Sequence, residues 1–128
     1  MAFNCSHGST VTMADGIWPM TWSDNATLAQ MVDNSGMEVL LPVGRWKGYG
    51  GDTNFNNRTF ESFTWASGIS AITEHCTVFA TVHAPLIHPV AAAKMAATID
   101  HISNGRFAIN LVAGWFKNEF QMFNSVWR

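Results

Sequence analysis

Three runs of strand length, each largely apolar at consecutive positions, alternate along the chain with segments of helical periodicity. The runs span residues 37–41, 77–82 and 107–112. Strands with apolar residues at consecutive positions are typical of parallel sheets that are covered on both faces. Helices are predicted over 24–36, 60–74, 89–102 and 117–123, where apolar residues recur three and four positions apart. This order predicts an α/β protein whose parallel strands alternate with helices.

Capping signals support these helix boundaries. Ser23 or Asp24 can cap the first helix, and Gly36 can end it in a left-handed conformation. Thr59 can cap the second helix, and Pro89 suits the first turn of the third. The signals are independent of the apolar periodicity, so the two kinds of evidence agree on the same alternation.

Two architectures are built from such units: an open doubly wound sheet and a closed (β/α)8 barrel. A dinucleotide-binding open sheet requires a GxGxxG motif after its first strand, and the sequence contains none. In a barrel, functional residues gather at the carboxyl ends of the strands. Those ends are 42–51, 82–88 and 110–115, and the first of them opens a long loop rich in Gly and Asn over 43–59. Loops of that length in compact domains are functional or disordered.

The composition excludes several classes of protein. Of 128 residues, 48% are hydrophobic and 12% charged, with a net charge of −2, so a disordered chain and a basic nucleic-acid-binding surface are excluded. No apolar run approaches the roughly 20 residues of a membrane span. No signal-peptide pattern is visible, and Cys5 and Cys76 are interpreted as free thiols, so a cytoplasmic location is expected. Because charge is about half the usual ~25%, much of the surface is expected to be covered by a partner or by the rest of a larger domain.

Four residues near the predicted strand ends are candidates for ligand binding. Gly44 and Arg45 follow the run 37–41, where an Arg beside a glycine-rich loop can bind an anion, although a solvated surface charge is the commoner use of Arg. Asn110 interrupts an apolar strand, where its amide group must form hydrogen bonds to offset the cost of burial. Its partner is either a neighbouring residue or a ligand that carries donors and acceptors on one edge, such as a flavin. Glu119 lies at the start of the last helix, where the helix dipole alone favours a carboxylate. The alternative is that Glu119 accepts hydrogen bonds from N–H or hydroxyl groups of a ligand.

The histidines do not predict a metal site. His75, His83, His88 and His101 lack the i, i+4 spacing of helical ligands, and no HExxH or CxxC motif accompanies them. His7 differs in location, because in a barrel its loop would follow the first strand. It is therefore a candidate for catalysis.

Three segments resemble a single protein family. They are 41–51 (LPVGRWKGYGG), 59–64 (TFESFT) and 96–120 (AATIDHISNGRFAINLVAGWFKNEF). Together they resemble the bacterial luciferase-like flavin monooxygenases. Within that family the chain is similar to alkanesulfonate and dimethylsulfone monooxygenases and to the pyrimidine monooxygenase of uracil breakdown. The resemblance covers about residues 4–124 and implies a TIM-barrel fold.

The resemblance also implies a cofactor, partners and site residues. The cofactor is reduced FMN supplied by a separate NAD(P)H:flavin reductase, and O₂ is the second substrate. The matching positions mark Gly44, Arg45, Asn110 and Glu119 as flavin contacts. His7 belongs to a His-Gly pair similar to one near the reaction centre of alkanesulfonate monooxygenases. A non-proline cis peptide is expected near 81–83.

Family members run to well over twice this length, so residues 1–128 are expected to form a partial domain. We expect the N-terminal half of a (β/α)8 barrel, truncated at both ends, with a first strand before Asn4 and a homo-oligomer in the full-length form. The leading hypothesis for function is oxidation of a small organosulfur substrate, an alkanesulfonate or sulfone, with C–S cleavage. One alternative is ring opening of a pyrimidine with the same cofactor. Another is an inactive barrel fragment that binds no flavin alone.

Overall fold

The computed structural model describes residues 11–126 in full and residues 2–3 by their backbone. The strands are β1 (Ala2–Phe3), β2 (Val39–Pro42), β3 (Thr77–His83) and β4 (Phe107–Val112). The helices are α1 (Trp22–Asn34), α2 (Ser62–Ser70), α3 (Pro89–Ser103) and α4 (Lys117–Met122), with a short 3-10 helix at Ala84–Leu86. His7 and Cys5 lie outside the described residues, so the predictions made for them remain predictions.

The strands form one parallel sheet in the order β1-β2-β3-β4. Leu41 lies opposite Ala2, and Thr81 lies opposite Asn110. A doubly wound sheet reverses its strand order at a switch point, whereas here neighbours in the chain are neighbours in the sheet. The predicted alternation of parallel strands and helices is therefore confirmed, and so is the expected strand before Asn4.

The hydrophobic core lies between the sheet and helices α1, α2 and α3. Its buried members include Leu40 of β2, Val78 and Ala80 of β3, and Trp65 and Ile69 of α2. The indole N–H of Trp65 donates to the side-chain oxygen of buried Asn25 at 3.1 Å, which links α2 to α1. Buried and half-buried residues alternate along β2 and β3. The helices therefore cover one face of these two strands, and the described residues cover the other face only partly.

Strand β4 departs from the prediction that each strand is buried on both faces. Ile109 is 40% exposed and Leu111 is 66% exposed. Both lie in register with the buried residues Ala80 and Val82 of β3, on the helix-facing side. Their exposure has a simple reason, because β4 is the last strand of the described sheet and no described strand pairs beyond it.

Two helix starts differ from the predicted ones. Helix α1 is capped by Thr21, whose hydroxyl accepts a hydrogen bond from the backbone N–H of Asp24 at 3.1 Å, so the predicted caps Ser23 and Asp24 are wrong by two to three positions. Helix α2 is capped by Glu61 rather than Thr59 and ends at Ser70. The prediction for Gly36 is confirmed, because its φ of +79° is left-handed. No helix within 11–126 is long and apolar enough to cross a membrane.

The amino end of the sheet is closed by two charged side chains. The carboxylate of Asp33 accepts from three successive backbone N–H groups, those of Glu74, His75 and Cys76, at 2.7–3.0 Å. Burial acts to raise the pKa of Asp33, but these hydrogen bonds outweigh it and lower the pKa to about 2. The guanidinium of Arg106 donates to the carbonyl oxygens of Cys76 and Thr73 at 2.7 Å and of Ser70 at 3.3 Å. Together they fix the connection between α2 and β3.

Candidate functional site

The carboxyl ends of β2, β3 and β4 surround an open cleft of about 250 Å³. Its lining includes Gly44, Arg45, Thr81, His83, Asn110 and Trp115. Three of the residues predicted from sequence, Gly44, Arg45 and Asn110, are thus brought to one cleft. The fourth, Glu119, lies directly behind Arg45.

Gly44 lets the ends of β2 and β3 approach closely. A Cβ atom at this position would lie 2.8 Å from the carbonyl oxygen of Thr81 and 2.9 Å from its Cγ2. Because a carbonyl oxygen of the backbone cannot move aside without distorting its strand, any side chain here would push the two strand ends apart. The glycine therefore sets the shape of the cleft floor.

A chain of hydrogen bonds crosses the cleft floor from β4 to β2. The amide nitrogen of Asn110 donates to the hydroxyl of Thr81 at 3.2 Å, and that hydroxyl donates to the carbonyl oxygen of Pro42 at 2.6 Å. The side-chain oxygen of Asn110 has no hydrogen-bond partner among the described residues. The amide thus bonds a neighbour through its nitrogen and keeps an acceptor for a ligand.

A buried ion pair joins the loop after β2 to helix α4. Nη1 of Arg45 donates to Oε2 of Glu119 at 3.1 Å, and the backbone N–H of Trp46 donates to Oε1 at 2.7 Å. The Glu119 side chain is wholly buried and that of Arg45 is 12% exposed. Both carboxylate oxygens have protein donors and the side chain is wholly buried, so in this conformation Glu119 faces protein groups rather than the open cleft.

Four aromatic side chains pack together beside Arg45, and two of them contact its guanidinium. We call them the aromatic cluster: Tyr49, Phe55, Trp115 and Phe116. The guanidinium carbon of Arg45 lies 5.3 Å from the ring centre of Tyr49 and 5.2 Å from that of Trp115, within the range of cation–π attraction. Nε of Arg45 is buried and has no hydrogen-bond partner among the described residues. The cluster thus fastens the loop 43–59 to the connection between β4 and α4.

His83 is a cleft residue that sequence reasoning missed. It is the last residue of β3, is 4% exposed, and places Nε2 3.7 Å from Oε2 of Glu119. Burial lowers the pKa of His83, the nearby Glu119 opposes this, and Arg45 lowers it further, so the imidazole is uncharged at neutral pH. Metal-ligand spacing, the only pattern considered for the histidines other than His7, does not single out His83. The signal that would have found His83 is its place at the carboxyl end of a predicted strand.

Two other predictions bear on this region. All peptide bonds within the described residues are trans, so the expected cis peptide near 81–83 is wrong. Strand β3 continues its regular pairing through His83, which lies opposite Val112, and this pairing keeps the backbone extended. Within 11–126, no three His, Cys, Asp or Glu side chains meet in an arrangement that could hold a metal ion.

Comparisons with known proteins agree on one family and one fold. A family model described as luciferase-like monooxygenase matches residues 1–128. The pyrimidine monooxygenase RutA of Pseudomonas syringae pv. syringae (strain B728a) is 44% identical over 101 residues, which cover 79% of this chain and 28% of that protein. This chain therefore spans less than a third of that relative.

Solved structures show the same architecture. A riboflavin lyase, RcaE, whose crystal contains a modified FMN and riboflavin, matches with a TM-score of 0.80 at 16% identity, over 96% of this chain and 32% of that one. The EDTA monooxygenase EmoA of Chelativorans sp. BNC1 matches with a TM-score of 0.79 at 12% identity, over 96% and 31%. At such identities the likeness shows the fold, which is that of a (β/α)8 barrel in which the described strands are four consecutive members.

Proposed function

Because the chain belongs to the luciferase-like monooxygenase family, we propose that the protein is a monooxygenase that uses reduced FMN and O₂. The cleft at the carboxyl ends of β2, β3 and β4 is then part of its flavin site. The observation that carries the proposal is the convergence of Gly44, Arg45 and Asn110, which lie up to 66 positions apart in the sequence, on one cleft. Reduced FMN, when bound, supplies the electrons with which O₂ is activated.

The free acceptor of Asn110 supports a flavin as the ligand. A flavin ring carries N–H donors and carbonyl acceptors along one edge, and the Asn110 oxygen offers a hydrogen bond to such an N–H. The Asn110 nitrogen is fixed on Thr81, so the direction of the oxygen is fixed as well. In this proposal Asn110 orients the ring, and Gly44 keeps the floor beside it close-packed.

Arg45 supplies the positive charge of the site, and Glu119 positions it. A direct flavin contact by Glu119, which the family resemblance implies, stays a prediction. Since both carboxylate oxygens already have protein donors, we assign to Glu119 the task of holding Arg45 and the backbone of Trp46. Arg45 is then pre-organised between an ion pair and the aromatic cluster, which limits the entropy lost when a ligand binds.

The rest of the barrel would complete the cleft. The chain spans 28% of the RutA relative, and Ile109 and Leu111 of β4 expose apolar surface on the helix-facing side. Both observations support residues 1–128 as part of a larger barrel domain. A flavin reductase partner, homo-oligomeric assembly and a cytoplasmic location remain predictions.

Two substrate classes have support. The identity of 44% to a pyrimidine monooxygenase favours a pyrimidine ring. The segment Trp115-Phe116-Lys117, whose first residue lines the cleft, is the feature that favours an organosulfur compound. The proposed reaction is common to both: one oxygen atom of O₂ enters the organic substrate and the other leaves as water.

The test is isotope incorporation by the full-length protein. It is supplied with FMN, NADH, a flavin reductase and ¹⁸O₂, and given uracil, dimethylsulfone or methanesulfonate in separate reactions. We expect ¹⁸O in the product of one substrate class, and Asn110→Leu is expected to weaken FMN binding about 10-fold through the lost hydrogen bond. Asn34→Leu, at the exposed end of α1, is the matched control. Absence of ¹⁸O from every product contradicts the proposal.

A further inference from the structure

His83 is a buried polar side chain of the cleft whose ring nitrogens make no hydrogen bond to any described residue. It lines the cleft beside Arg45 and Asn110 and is 4% exposed. Oε2 of Glu119 lies 3.7 Å from Nε2 of His83, beyond hydrogen-bond distance. An imidazole that lines a cleft in this way can donate and accept, and it gains free energy when a ligand completes its bonding.

The charges around His83 are already balanced. Arg45 is paired with Glu119, and no other Lys, Arg, Asp or Glu lines the described part of the cleft. Nη1 of Arg45 is occupied by that carboxylate, and its guanidinium plane lies against Tyr49 and Trp115. The part of a ligand that faces His83 therefore meets no unpaired charge, and an uncharged polar group is the better match at this position.

Glu119 also sets which ring nitrogen of His83 carries the proton. A carboxylate 3.7 Å from Nε2 favours the tautomer with the hydrogen on Nε2. Nδ1 is then unprotonated and is a hydrogen-bond acceptor. His83 and Asn110, which both line the cleft, then each carry an acceptor suited to an N–H donor.

We propose that His83 is a specificity-determining residue of the cleft, whose uncharged imidazole accepts a hydrogen bond from an imide-type N–H group of the ligand. The inference rests on the proposed function, because it takes this cleft for the ligand site. Both the flavin ring and a pyrimidine substrate such as uracil carry this chemistry. Methanesulfonate and dimethylsulfone carry no N–H group.

The first measurement is the imidazole ¹⁵N spectrum of the full-length protein labelled at histidine. We expect the free protein to show His83 protonated on Nε2 alone. Addition of FMN or of uracil in separate samples should shift the Nδ1 signal of His83, and the sample that shifts identifies the source of the N–H. Methanesulfonate should leave it unchanged. A His83 signal that is insensitive to FMN and to uracil overturns the proposal.

The second measurement uses two variants of His83. His83→Phe removes the acceptor at similar size, whereas His83→Gln restores an uncharged acceptor. We expect His83→Phe to raise the Kd for FMN or the KM for uracil about 10-fold, with kcat changed less than about 3-fold, and His83→Gln to recover most of the loss. His101→Gln, on the exposed face of α3, is the control. Equal binding by wild type and His83→Phe, or losses that follow a lower Tm in both variants, overturns the proposal.

The two proposals fail separately. Incorporation of ¹⁸O with no response at His83 leaves the monooxygenase proposal intact and removes the role of His83. A shift of His83 Nδ1 by FMN or uracil without any ¹⁸O incorporation has the opposite meaning, because the cleft then binds an N–H ligand without the oxygenation.

Discussion

The two ends of the sheet use charged side chains differently. At the amino end, Asp33 accepts three backbone N–H groups and Arg106 donates to three backbone carbonyl oxygens. At the carboxyl end, Arg45 shares one N–H with Glu119 and has a buried Nε without a partner among the described residues. At the amino end the charged side chains form hydrogen bonds with the backbone, whereas the carboxyl end retains donors and acceptors without partners among the described residues.

This difference separates stability from ligand binding within one small structure. In (β/α)8 barrels the carboxyl ends of the strands carry function, and the amino ends contribute to stability. The comparison predicts that changes at the amino end alter the free energy of unfolding and leave ligand affinity unchanged. Changes at the carboxyl end should alter affinity. Variants of the full-length protein at the two ends of the sheet can test that separation.

The largest expected effect on stability is that of Arg106→Ala. The change leaves the carbonyl oxygens of Ser70, Thr73 and Cys76 without their donor, and each carbonyl loses its compensation for burial. We expect the free energy of unfolding to fall by about 3 kcal/mol. Chemical denaturation measures this, and FMN titration should give a Kd within about 3-fold of wild type. A large loss of FMN affinity at unchanged stability would contradict the assignment of the amino end to stability.

Gly44→Ala is expected to affect both quantities, because Gly44 lies where strand packing and the cleft meet. The added Cβ would lie 2.8 Å from the backbone oxygen of Thr81. Overpacking of this kind costs about 2 kcal/mol and should widen the cleft floor, which weakens FMN binding. Gly36→Ala is the control: a Cβ there meets nothing within 4 Å, so only its left-handed backbone is strained. The control should lose about 1 kcal/mol of stability and no FMN affinity.

The sequence predicts the elements well where the signal is local. Strand β4 occupies 107–112 as predicted, because its boundaries follow from a largely apolar run that lies between Gly105 and Gly114. The start of α2 was misplaced because Glu61, an uncommon N-cap residue, accepts from the N–H groups of Phe63 and Thr64. Such a cap depends on side-chain conformation, which residue type alone does not determine.

The candidate site is predictable only in part. Gly44, Arg45 and Asn110 could be selected because they stand at strand ends in an otherwise apolar pattern. The pairing of Arg45 with Glu119 joins residues 74 positions apart, and no local rule links them. The position of His83 between that pair and the cleft depends on the same tertiary contact. The identity of a site residue is thus local information, and its hydrogen-bonding partner is not.

Protonation of Asp33 at acid pH is expected to lower the free energy of unfolding by less than the Arg106 and Gly44 substitutions do. Its pKa is lowered to about 2 from an ordinary 3.8, so the contribution is present above pH 4 and is lost as pH falls toward 2. After allowance for solvent screening of this half-buried group, the loss is about 1 kcal/mol. Denaturation between pH 5 and pH 2 measures it. Asp33→Asn should be less stable at pH 5 and should have a flatter profile, and an unchanged slope in that variant would contradict the assignment.

The smallest effect is expected at the carboxyl end, from His83, in a different pH range. The unfolded chain takes up a proton at the ordinary pKa near 6.5, whereas burial lowers the pKa of the folded imidazole. The free energy of unfolding should therefore fall as pH drops below 6.5, because the unfolded state binds the proton first. Arg45 adds to the effect of burial on the pKa, but the facing Glu119 opposes it. Because Glu119 offsets part of the pKa shift, the free energy of unfolding should change only slightly with pH. His83→Gln should abolish the slope and His101→Gln should retain it.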